Sequence, residues 1–160
     1  MQAAKDTFLK TLAERLAVVN PLRTVTMDGA ARPAVLTLEN EIPMRADTEL
    51  ETFLLDWQST SEVKPGQALM QMECRVNYGS QGTDDLLRTD RGRILTAMDT
   101  ELRHICEPKR ALKCDYSQTP PVALGTNIFW SAPVMEDVKS VNGVLQRTAA
   151  ITMYFFPEVA

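Results

Sequence analysis

Hydrophobic and polar positions alternate almost without fault from Ala68 to Tyr78. Met70, Met72, Cys74, Val76 and Tyr78 fall on one face, and Gln71, Glu73, Arg75 and Asn77 on the other. Successive strand side chains point to opposite sides of a sheet, so this stretch predicts a strand with one buried face. Gly79-Ser80-Gln81-Gly82 then reads as a turn. From Asp84 the period becomes helical. Leu87, Ile94, Met98, Leu102 and Ile105 follow helical spacing, with Leu95 beside Ile94. Asp84 and Asp85 suit the positive end of a helix dipole, Arg103 suits the negative end, and Pro108 marks the stop. A helix of that length spans about 34 Å, with Gly92 inside it at a cost of about 1 kcal/mol relative to Ala.

The same reading extends to the rest of the chain. Residues 2 to 19 predict an amphipathic helix with Ala4, Phe8, Leu12, Leu16 and Val19 in one stripe and Leu9 alongside. Lys5, Lys10, Glu14 and Arg15 are expected to face solvent, and Asn20-Pro21 ends the helix. Leu22 to Met27 and Ala34 to Leu38 predict two short strands about an Asp28-Gly29 hairpin turn, with Pro33 marking an edge or an irregular start. Phe53 to Trp57 predicts a strand or the end of one, and 59 to 66 an exposed loop. Ala111 to Tyr116 alternates with Leu112, Cys114 and Tyr116 in phase. Ser117 to Asn127 and Glu136 to Gly143 read as loops around a short strand at Ile128 to Ser131. The closing strand, Val144 to Phe156, is apolar on both faces, which predicts burial on both sides or contact with another subunit. Together these elements predict one α+β domain over residues 1 to 160. It has a mainly antiparallel sheet with two helices packed on one face.

Composition narrows the function. The 160 residues carry a net charge of −4, which disfavours general nucleic-acid binding and adsorption to anionic membranes. No apolar run reaches the roughly 20 residues of a membrane span, and the charged amphipathic N-terminus lacks the apolar core of a secretory leader. Cys74, Cys106 and Cys114 read as free thiols in a reducing compartment. Charge is concentrated in one place. Glu39, Glu41, Asp47, Glu49, Glu51 and Asp56 face Arg45 alone across 39 to 56, a local charge of −5. This is either a solvated loop or an acidic surface turned toward a partner or a lumen. Its spacing fits no calcium loop.

Motifs for chemistry do not emerge. His104, the single histidine, sits near a helix C-terminus, where a cation is favoured for structural reasons. Cys106 is two residues from it, too close along a helix to face it, and a pairing with Cys114 depends on the fold. The glycines form no phosphate loop, and no zinc spacing occurs. Arg88, Arg91 and Arg93 interleave with Asp84, Asp85, Asp90 and Asp99, so ion pairs at helical spacing account for them. The sequence therefore predicts no catalytic residue, cofactor site or metal site.

In order, the pieces are an amphipathic helix, the Asp28-Gly29 turn, Pro33-Ala34-Val35, an acidic stretch ending in Ile42-Pro43, the strand Ala68 to Tyr78, the long helix, and a closing strand with Ala149-Ala150-Ile151-Thr152-Met153-Tyr154. This order resembles the tail terminator proteins of lambda-type, long-tailed bacteriophages, a fold shared with other neck and tail-completion proteins. The chain is longer than compact members of that family, around Thr48 to Gly66 and in the two late loops. The resemblance implies a structural, non-enzymatic virion protein assembled in the host cytoplasm. It implies a ring, a hexamer in that family, on the head-proximal end of the tail tube. Such a ring ends tube growth and meets the head connector or stopper protein, with DNA passing through its lumen. On that expectation Glu39, Glu41 and Glu49 face the lumen or the tube, while Ile151, Met153 and Phe155 contribute to the core and the subunit seam. The alternatives are another neck ring or, from a different class, a small cytosolic enzyme or ligand-binding module.

Overall fold

The computed structural model describes residues 1–40 and 50–158. Helix α1 (Gln2–Val19) forms over the predicted span, and Ala4, Phe8, Leu12 and Leu16 are fully buried. Strands β1 (Thr24–Met27) and β2 (Ala30–Pro33) make the expected hairpin. Asp28 and Gly29 take φ of 50° and 78°, the two positive values a two-residue primed turn requires. The return arm closes at Pro33, earlier than the predicted Ala34 to Leu38. Those residues instead supply β3 (Val35–Thr37), which pairs parallel with β4 (Phe53–Glu62).

Strand β4 runs on through Ser59 to Glu62, where polar composition predicts a loop. Thr60, Ser61 and Glu62 pair with Met72, Gln71 and Met70 after a register shift. Strand β5 (Met70–Ser80) likewise passes through Gly79 and Ser80, the predicted turn. Gly79 lies within the ladder because a Cβ there would sit 2.7 Å from the Leu145 carbonyl oxygen of the adjacent strand.

The predicted long helix is two elements. A single 3₁₀ turn covers Asp84–Leu86, and helix α2 spans Arg91–Ile105, about 22 Å. Between them Leu87 and Arg88 adopt left-handed φ of 49° and 62°. The Asp90 carboxylate draws the chain back by accepting from the Thr83 amide (2.8 Å) and hydroxyl (2.9 Å), which also holds its pKa below the usual carboxylate range. Leu87, assigned to the stripe by periodicity, is therefore 86% exposed, whereas Leu95, Met98, Leu102 and Ile105 are buried as expected. Gly92 falls in the first turn of α2.

Strand β6 (Arg110–Asp115) is out of the predicted phase. Lys113 is buried and Leu112 is 51% exposed. The inward lysine is satisfied by donating to the Phe156 carbonyl and pairing with Glu158 at 3.4 Å. Strand β7 (Val122–Trp130) begins inside the predicted loop. Two short strands, β8 (Val134–Met135) and β9 (Lys139–Val141), precede β10 (Val144–Phe155). Asn142 and Gly143, at φ of 51° and 79°, form the β9–β10 hairpin turn within the second predicted loop.

The main sheet runs β3-β4-β5-β10-β7-β6, antiparallel except at β3–β4, with β8 and β9 beside β10. The protein is thus α+β. Strand β10 is central. Leu145 to Phe155 pair residue by residue with Ser80 to Met70, while β9, β8 and β7 share its other edge. Met72, Cys74, Val76 and Tyr78 of β5 and Ala149, Ile151, Met153 and Phe155 of β10 line the face on which both helices pack. The closing strand is buried on that face only. Ala150, Thr152 and Tyr154 on the other are half-buried, so of the two outcomes its apolar pattern predicts, burial on both sides within the chain is not the one found.

Candidate interaction surface

The face of the sheet opposite the helices can be built row by row from the register. Phe129 lies between Arg110 and Tyr154, and Tyr154 lies beside Gln71. Two residues along, Thr152 opposes Glu73. The next row runs Val134, Ala150, Arg75, Asp56, and the last pairs Thr148 with Asn77. The Thr148 hydroxyl donates to the Asn77 side-chain oxygen at 2.7 Å. Arg75 donates to Glu136 and lies 3.6 Å from Glu73, so its guanidinium is shared between two carboxylates. Among the described residues no helix covers this face. At its end lies a cavity of about 290 Å³ lined by Leu38, Leu50, Leu54, Val144 and Arg147 among others.

The residues the sequence proposes for partner contact separate on this framework. Ile151, Met153 and Phe155 are at most 1% exposed and belong to the chain's own core, so they offer nothing to a neighbour. The strand pattern misleads here because alternation fixes which residues share a face, and not which face the helices occupy. Glu39 pairs with Lys5 of α1 (2.5 Å), and so is not a free acid on an open surface. Glu41 and Glu49 lie outside the described residues. At the far end of the acidic stretch, Glu51 lies 3.6 Å from Arg23 and accepts from the Ser80 hydroxyl at 3.4 Å.

Two cations predicted to face solvent are structural. Lys5 is 9% exposed and lies over the Trp57 ring at 5.9 Å. Arg15 lies 5.4 Å from the Trp130 ring centre and donates to the carbonyls of Ile105 (2.9 Å), Pro108 (2.8 Å) and Arg110 (3.3 Å). It thereby caps the end of α2 and covers part of the outer edge of β6, while Thr7 exchanges hydrogen bonds with the Cys114 backbone on the same edge.

Reactive groups do not converge. His104 lines a shallow groove with Glu14, Arg15, Val18, Val19 and Glu107, while the Cys114 thiol is directed to the Leu112 carbonyl. No cluster of three or more potential metal ligands occurs among the described residues, nor any helix long and apolar enough to cross a membrane. No protein-family model matches the chain, and no curated protein matches it in sequence.

The buried titratable groups make stability sensitive to alkali. Burial raises the Cys74 thiol and pushes Cys106 up to about 12. Burial, reinforced by its hydrogen bond to Asp99, raises the Tyr78 hydroxyl. A folded-state pKa above the unfolded value gives stability that is complete below the unfolded pKa and lost as pH rises past it. The expected result is an unchanged urea midpoint from the thiols and Tyr78 up to about pH 8.5. Above that each thiol removes about 1.4 kcal/mol per pH unit, and Tyr78 adds to the loss above about pH 10. Equal midpoints at pH 7.5 and 10 would refute it.

Proposed function

We propose that the chain is a structural subunit of a ring at the head-proximal end of a bacteriophage tail tube. The ring, a hexamer in this reading, ends tube polymerisation and joins the tail to the head connector, with DNA passing through its lumen. Its place is the neck of the virion. The reading rests on one combination of features. An amphipathic helix, a primed hairpin, a long strand, a second helix and a closing central strand build a sheet that the described chain covers on one side only. Rings are held by surface geometry, and a broad mixed polar and apolar sheet face suits contact with neighbouring protein. By sequence the 39 to 56 stretch carries a net charge of −5, the same sign as DNA in the lumen.

The test is assembly. Tail-tube subunits from the same phage should stop growing when the purified protein is added, and electron microscopy should show extra density on one tube end. Tubes that keep elongating with bare ends would refute the proposal. Density on the head portal and not on the tube would transfer the protein to another neck ring.

A further inference from the structure

We propose that Asn142 is a site of spontaneous backbone modification. Its side-chain amide is lost through a cyclic imide formed with the Gly143 nitrogen, and the isoaspartate that results uncouples β9 from the edge of β10. The proposal goes beyond the ring reading and does not depend on it. Of the five asparagines in the chain, Asn142 alone precedes glycine, whereas Asn20, Asn40, Asn77 and Asn127 precede Pro, Glu, Tyr and Ile. Asparagine is thermolabile, and a following residue without a side chain leaves the attacking nitrogen uncrowded.

Asn142 and Gly143 are the two central residues of the β9–β10 turn, both exposed, with φ of 51° and 79°. A Cβ on Gly143 would meet nothing within 4 Å, so the turn stands in open space. Arg91 donates to the Gly143 carbonyl at 2.8 Å, but among the described residues no hydrogen bond engages the Asn142 side chain or the Gly143 N–H. Both reacting groups are therefore free. Ring closure keeps the positive φ of Asn142 and turns the peptide plane that follows, the change that separates a type I′ turn from a type II′ turn. Glycine takes the new φ without strain. The Gly143 nitrogen gives its proton to hydroxide and bonds to Cγ of Asn142. The bond from Cγ to the side-chain nitrogen breaks, and ammonia leaves with a proton taken from water. Water then opens the imide. Addition at Cγ gives aspartate, and addition at the backbone carbonyl gives isoaspartate, in which the chain runs through Cβ. Either product exchanges a neutral amide for a carboxylate and needs no oxidant or metal.

Isoaspartate inserts one extra backbone atom into a two-residue turn whose length sets the register of the ladder beyond it. That ladder is short: Val141, Ser140 and Lys139 face Val144, Leu145 and Gln146. All three β9 residues are exposed, and among the described residues β9 pairs with no other strand, so little burial holds it in place. Strand β10 keeps its eleven pairs with β5, which confines the opening to one edge. The freed edge at Val144 to Gln146 then offers unpaired backbone groups to another chain. The Asp28–Gly29 turn is an internal control, with φ of 50° and 78° and the same open surroundings at its glycine. Its carboxylate accepts the nucleophile poorly and must expel oxygen as water, so it reacts more slowly.

The test holds the full chain at 37 °C at pH 6 and at pH 8.5 and maps it by mass spectrometry, with isoaspartyl methyltransferase reporting the isoaspartate. Conversion at Asn142 is expected at least tenfold faster at pH 8.5, because the attacking nitrogen must lose its proton. It should also run at least tenfold ahead of the other asparagines and of isoaspartate formation at Asp28. Hydrogen exchange on the modified protein should show lost protection from Lys139 to Gln146 and an unchanged β5–β10 ladder from Thr148 to Phe155. Asn142→Gly keeps a primed turn and removes the amide, so it should show neither the mass change nor the lost protection. An intact Asn142 after the alkaline incubation, conversion no faster there than at the other sites, or a modified chain whose β9 amides stay protected would overturn the inference. Equal loss of protection in incubated Asn142→Gly would overturn it too, since that variant cannot form the imide.

Discussion

Phe8→Ala is expected to destabilise the protein by about 3–5 kcal/mol, a large share of the roughly 5–15 kcal/mol that holds a domain folded. Phe8 is fully buried and meets two indoles edge-on, Trp57 at 5.6 Å and Trp130 at 5.1 Å between ring centres. Trp57 belongs to β4 and Trp130 to β7, so one ring fastens α1 to strands on opposite sides of the β5–β10 centre. Truncation removes the aromatic contacts and leaves a cavity that Trp130 cannot fill without giving up the bond its Nε1 donates to the Cys106 carbonyl at 2.8 Å. Phe8→Leu should cost less, since it restores most of the volume. The measurement is the urea midpoint at constant slope. A loss under about 1 kcal/mol would mean that α1 does not dock through this residue.

The docking stripe of α1 was legible because four buried residues at helical spacing leave one solution. The β5 face was legible for the same reason at period two. Errors cluster where one local signal competes with a distant partner. Polar Ser59 to Glu62 are strand because β5 offers a ladder to pair with. Leu87 matches the helical stripe, but the Asp90 carboxylate anchors Thr83 and the chain turns left-handed first. Lys113 points inward because a carbonyl and a carboxylate near the end of β10 wait for it. Asn142-Gly143 was a readable hairpin signal of the same kind as Asp28-Gly29, and it would have divided the second late loop correctly.

The interaction surface was less legible. The polar face of β5 followed from alternation alone, but the exposure of Phe129 depends on where β10 stops relative to β7. Arg110, Phe129 and Tyr154 come from three separate stretches and become neighbours only through register. Arg15 is a similar case. Its sequence position places it on the polar side of α1, and only the approach of Ile105, Pro108 and Arg110 gives its donors three carbonyls.

Asp99→Ala should cost about 3 kcal/mol, and the loss should depend on Arg147. Helical spacing assigns Asp99 to a solvated run of ion pairs, but among the described residues of that run only Arg88–Asp84 pairs so, at 3.1 Å. Asp99 is buried against the sheet. The Tyr78 hydroxyl donates to it at 2.6 Å, and the Arg147 guanidinium lies 3.3 Å away. Removing the carboxylate strands both a buried hydroxyl and a cation, and breaking such a pair from one side costs about 3–5 kcal/mol. The low end applies because the Arg147 side chain keeps 21% exposure and the Tyr78 hydroxyl also contacts the Met135 sulfur at 3.3 Å. Arg147→Met in the same chain should recover at least about 1 kcal/mol, since it replaces the uncompensated cation with an apolar group of similar length. Strict additivity of the two substitutions in a double-mutant cycle would show that Asp99 and Arg147 do not act as a pair.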